Sequence, residues 1–154
     1  MAAATRPREV FERLLAGITG KKWDDLPGLY AEETLVEHPF ALPKPARLEG
    51  REAIRGHFAA AAKVPLEMTA RDLVVHETAD PEVIIGEFVY DGRVTTTGRV
   101  FTLANILVMR IRDGQIVTSR DYHNHAALIQ VAEDAPELAA IHAAAQSAES
   151  GRSG

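Results

Sequence analysis

Residues 98–124 read GRVFTLANILVMRIRDGQIVTSRDYHN, and this stretch decides the fold. Two runs of alternating side chains, 98–112 and 115–124, flank Asp113-Gly114. Asp-Gly suits a two-residue turn whose central residues both take positive φ, so the stretch predicts a β-hairpin. The same period of two extends backward to strands over 66–77 and 83–90, punctuated by Asp80-Pro81 and Asp91-Gly92.

Upstream of Leu66 the period becomes 3.6. Val10, Phe11, Leu14, Leu15 and Ile18 recur at helical spacing after a Thr5 cap and Pro7, until Gly20 stops the run. A shorter helix is predicted over 23–32, interrupted by Pro27-Gly28, then a short strand over 34–38. Pro39, Pro43 and Pro45 make 39–47 a rigid loop. A third helix follows over 51–63. Beyond the hairpin come a helical turn over 126–132 and an alanine-rich helix over 135–148. Helix, helix, strand, helix and four antiparallel strands make an α+β domain, with helices on one face of a curved sheet.

The chain has 154 residues, 17 Lys+Arg against 22 Asp+Glu, a net charge of −5, and no cysteine. One domain over 1–146 with a tail over 147–154 is expected at that length. The absent thiols exclude disulfides, Fe–S clusters and cysteine nucleophiles. The N-terminus becomes charged before an apolar signal core forms, so a cytoplasmic protein is expected. No run approaches the roughly 20 apolar residues that span a bilayer. An acidic chain without a basic stripe argues against nucleic acid. Gly-x-Ser-x-Gly, a phosphate loop and Gly-x-Gly-x-x-Gly are all absent.

Both faces of the 98–112 strand are apolar. Phe101, Leu103, Leu107, Met109 and Ile111 lie on one side, and Val100, Ala104, Ile106 and Val108 on the other. A sheet with one wet face alternates polar and apolar. The helices cover one face only, so the other is expected to meet a second copy in a homodimer.

Strand 115–124 carries the chemistry. Val117, Ser119, Asp121 and His123 share one face. Aspartate is depleted in strands, and a buried lone carboxylate is costly. Asp121 is therefore either paired with Arg or His across the sheet, or held in an apolar cavity with a raised pKa that suits it to proton transfer. With His125 added, Asp121 and His123 also form a possible metal-ligand face. No helical His-x-x-x-His or Glu-x-x-His supplements it, so no metal is expected. Asn105 interrupts an apolar face and needs partners or a ligand.

Leu29-Tyr30-Ala31-Glu32-Glu33-Thr34, then Gly50-Arg51-Glu52-Ala53-Ile54, then Arg112-Asp113-Gly114-Gln115-Ile116 running into Ser119-Arg120-Asp121-Tyr122, resembles the NTF2-like superfamily. The resemblance covers 8–130 and is nearest the SnoaL-like branch, with its polyketide cyclases and its relatives of limonene-epoxide hydrolase, ketosteroid isomerase and PhzA/PhzB. It implies a cone-shaped curved antiparallel sheet wrapped by helices around a pocket, usually in a dimer. Epoxide-hydrolase relatives carry a pocket-facing aspartate in a context similar to Ser119-Arg120-Asp121-Tyr122. Their Arg-x-Asp pair is replaced here by Phe88-Val89-Tyr90, and their first-strand Tyr and Asn by Val36 and His38.

The resemblance thus implies a pocket with Asp121, His38 and Tyr90 as catalytic residues, and Val36, Phe88, Phe101, Leu103, Asn105 and His123 against the substrate. Loop 39–47 is placed to gate it. The implied function is a cofactor-independent isomerase or cyclase of secondary metabolism acting by proton transfer on a hydrophobic small molecule. A non-catalytic binding or accessory protein and an epoxide hydrolase with an altered site are the alternatives.

Overall fold

The computed structural model describes residues 6–141. The Thr5 cap, the far part of the alanine-rich helix and the 147–154 tail lie outside them. Helix α1 (Pro7–Thr19) has Pro7 in its first turn and buries Val10, Phe11, Leu14 and Leu15 along one stripe. The expected second helix is not continuous. Pro27 lacks an N–H and the segment is too short to nucleate, so two 3₁₀ turns form at Trp23–Asp25 and Pro27–Leu29. Strand β1 (Tyr30–His38) then starts four residues earlier than the sequence suggests.

The proline-rich segment is not all loop, because β2 (Ala46–Glu49) returns antiparallel along β1. Helix α2 (Arg51–Ala61) follows Gly50, whose φ of 87° and N–H bond to the Thr34 carbonyl set the helix against β1. The long strands are β3 (Leu66–Glu77), β4 (Val83–Val94), β5 (Val100–Arg112) and β6 (Gln115–His123). Helix α3 (His125–Asp134) is capped by the Asn124 side chain, and residues 136–141 are again helical.

The sheet is ordered β2-β1-β6-β5-β4-β3. Its long strands pair antiparallel, as expected, and β1 joins parallel to β6. Register shifts in β1, in β3 at Asp72 (φ 57°) and in β6 at Val117 bend the strands and curve the open sheet. Inside the curve, α1 packs on β3–β5 and α2 on β1 and β2. Among the described residues, no helix is long and apolar enough to cross a membrane.

Asp91-Gly92 is not a turn. It lies within β4, opposite Thr102 and Phe101, and a Cβ on Gly92 would overlap the Phe101 ring. The glycine serves close approach, and the chain reverses later, where the Gly98 N–H bonds the Val94 carbonyl. Asp113 and Gly114 do turn as read, with φ of 53° and 76°. Gly114→Ala is expected to cost about 1 kcal/mol in urea unfolding, because alanine resists positive φ.

The two faces of β5 part as the pattern suggests. Leu103, Leu107 and Met109 are at most 4% exposed, whereas Val100 is 75% and Ile106 40% exposed on the other side. That outer face also carries ion pairs, such as Arg71–Asp91 and Arg110 with Asp80 and Glu82. Arg112 and Arg110, both bonded to Glu82, hold its carboxyl down at about 2.

Candidate active site

Sheet and helices enclose a mostly apolar cavity of about 210 Å³. Pairing places its polar groups. In the β5–β6 hairpin Met109 faces Ser119, Leu107 faces Asp121 and Asn105 faces His123, so all three β6 side chains follow the inward face of β5. In the parallel β1–β6 pair Val36 lies beside Ser119 and Glu37 beside Arg120. One step further along the register, His38 comes up to Asp121. Buried Thr34 ties the strands together, its hydroxyl donating to the Ile116 carbonyl at 2.8 Å.

Asp121 borders the cavity and is half-buried. Ser119, 2% exposed, donates its hydroxyl to Asp121 Oδ1. No arginine or lysine forms an ion pair with Asp121 among the described residues, so the guanidinium partner considered from sequence is not there. Burial pushes the carboxyl up to about 6, against the opposing effect of the Ser119 hydrogen bond. Tyr30 and Tyr90 line the same space. Burial, then the Asp121 charge, raises both phenols, so they remain protonated hydrogen-bond donors.

His38, Tyr90 and His123 line the cavity with Asp121, and Val36, Phe88, Phe101 and Leu103 supply apolar wall. Asn105 does not line it. Its amide donates to the Leu103 carbonyl at 2.9 Å, and its Oδ1 meets His123 Nδ1 at 2.6 Å. It is 3% exposed and acts on the imidazole. The metal face read from sequence is corrected. β6 ends at His123, and His125 opens α3, so strand alternation does not carry through to it. The groups brought together are His38, Asp121 and His123, whose ligand atoms all lie within 4.8 Å of one another.

Tyr30, Trp23, His57 and His125 also line the cavity without having been singled out for it. Tyr30 falls inside the stretch read as helix. Its carbonyl accepts from Arg51 Nε at 2.8 Å, which anchors the start of β1 to α2. The His38 ring lies 6.4 Å from His57, 5.7 Å from His123 and 6.2 Å from His125. Four imidazoles from β1, α2, β6 and α3 therefore converge at one end of the cavity, a grouping that no local spacing reveals.

A family model described as the SnoaL-like domain matches residues 11–119. The chain belongs to the SnoaL-like family. It is 40% identical over 115 residues to an uncharacterized PhzA/B-like protein of Pseudomonas aeruginosa, covering 73% of this chain and 77% of that one. A solved structure of a proposed isomerase from Bacillus subtilis is 30% identical and superposes with a TM-score of 0.72, over 80% of this chain and 90% of that one. A proposed polyketide cyclase from Pseudomonas putida superposes with a TM-score of 0.69 at 16% identity, over 82% and 97% of the two chains. That second likeness speaks for the fold alone. The resemblance to the NTF2-like superfamily is correct, and so is the α+β class with its curved sheet.

Proposed function

We propose that this SnoaL-like chain is an isomerase or cyclase that moves protons on a hydrophobic small molecule bound in the cavity. The observation that carries the reading is Asp121: a carboxylate without a guanidinium partner, facing a mostly apolar space between two tyrosine hydroxyls and two imidazoles. A carboxylate so placed takes a proton from carbon beside a carbonyl and, once protonated, returns it elsewhere. Tyr90 and Tyr30 donate to the oxygen that gains charge. His38 and His123 relay the second proton, and Asn105 holds the His123 ring. Such transfers need no cofactor. The 30% identical proposed isomerase among the similar structures supports this class of chemistry.

The test is exchange of solvent deuterium into a panel of enolisable cyclic ketones and diketones. Wild type is expected to exchange the carbon-bound hydrogen of at least one, and Asp121→Asn to lose that rate by about 10²–10⁴. Equal rates in both would leave a ligand-binding role in its place. The exposed Val74 on β3 and Val100 and Ile106 on β5 further support a homodimer through the sheet, to be read by sedimentation.

A further inference from the structure

We propose that His38, Asp121 and His123 form a site for one divalent transition-metal ion of the zinc type. The three ligand atoms converge to within 4.8 Å of one another, from two strands whose pairing is set by the sheet. Around zinc, with bonds of about 2.0–2.1 Å, tetrahedral ligand atoms stand roughly 3.4 Å apart. Closing on an ion therefore takes side-chain movements of about an ångström, and His38, the last residue of β1, is placed to supply them.

Two of the three ligands are already held from behind. The Asn105 amide is oriented by its bond to the Leu103 carbonyl, so its Oδ1 faces His123 Nδ1 and can only accept. That puts the proton of a neutral His123 on Nδ1 and its lone pair on Nε2, the neutral form in which an imidazole binds a metal. Ser119 likewise orients the Asp121 carboxylate. Metal sites characteristically hold their histidines and carboxylates through such outer partners. Two imidazoles and one carboxylate suit zinc or ferrous iron and do not satisfy magnesium or calcium, which take mainly oxygen. Three protein ligands leave a position open toward the cavity.

The inference is independent of the proton-transfer reading, although both use Asp121. An ion at this site holds the carboxylate as an anion and stops it carrying a proton, so zinc is an inhibitor of that chemistry.

The experiment titrates the chelator-stripped full-length chain with Zn²⁺ against a chromophoric chelator, with bound metal counted by mass spectrometry. One tightly bound ion per chain is expected, undisturbed by excess Mg²⁺. His38→Ala and His123→Ala should each weaken binding by about 10²-fold or more, and Asn105→Ala by about 10–100-fold. His76→Ala, which removes the exposed His76–Glu87 pair, should leave it unchanged. Should the alanine variants not fold, Zn²⁺-induced NMR shifts in wild type are expected on the His38 and His123 rings and not on His76. No stoichiometric ion, or an affinity that both histidine variants leave intact, overturns the site. Deuterium exchange is read on the same metal-free protein, so loss of metal binding and loss of turnover are separate results.

Discussion

Asp121→Asn should raise the unfolding free energy near pH 8 by up to about 3 kcal/mol while it abolishes proton exchange. The sign follows from burial. In the unfolded chain an aspartate titrates near 3.9, and in the fold Asp121 titrates at about 6. Between those values the native state binds more protons than the unfolded one, so stability falls as pH rises through the window. Above about pH 6 the whole cost of burying the charge is present, roughly 1.4 kcal/mol for each pKa unit. Asparagine keeps the shape and removes the charge, and its side-chain oxygen still accepts from Ser119. Urea unfolding of metal-free wild type and variant near pH 4 and near pH 8 is the measurement. The gain should be small at the acid end and largest at the alkaline end. A variant that is several kcal/mol weaker at pH 8 would mean that the carboxylate belongs to a structural pair.

The second large effect is on the helix–sheet seam. Phe11 is fully buried, meets Phe88 edge-to-face at 5.8 Å, and lies where a Cβ on Gly86 would be. Phe11→Ala is expected to cost about 3–5 kcal/mol, a large share of the roughly 5–15 that hold a domain together. Gly86→Ala should cost about 1–3 kcal/mol by overpacking. In the Phe11→Ala background the same alanine has a void to fill, so its cost should vanish or reverse. Calorimetry of the four proteins closes the cycle. Additive effects would show that the ring does not sit over the glycine. The cavity reports the same change, because Phe88 leans on Tyr90 at 5.0 Å and loses its backing when Phe11 goes.

What was legible locally held up locally. The Asp113-Gly114 hairpin, the stripe on α1 and the four long strands depend on turn chemistry and periodicity within a few residues. Asp91-Gly92 misled because the same dipeptide that suits a turn also lets an aromatic ring cross a strand, and only the register with Phe101 distinguishes the two. Asn105 was noticed as an anomaly, but its role depends on which residue the hairpin sets opposite, and that is His123.

By itself the sequence determined the α+β class, the family motifs, and an aspartate on a strand face where solvent is not expected. Only the tertiary structure decided the company that aspartate keeps. β1 and β6 are some eighty residues apart in the chain and pair parallel, which brings His38 to Asp121, while α2 and α3 bring His57 and His125 to the same end of the cavity. Periodicity records which way a side chain faces within its own element. Contacts between distant elements are set by how the sheet closes on its helices, and His38, Tyr90, His57 and His125 reach the cavity only through them.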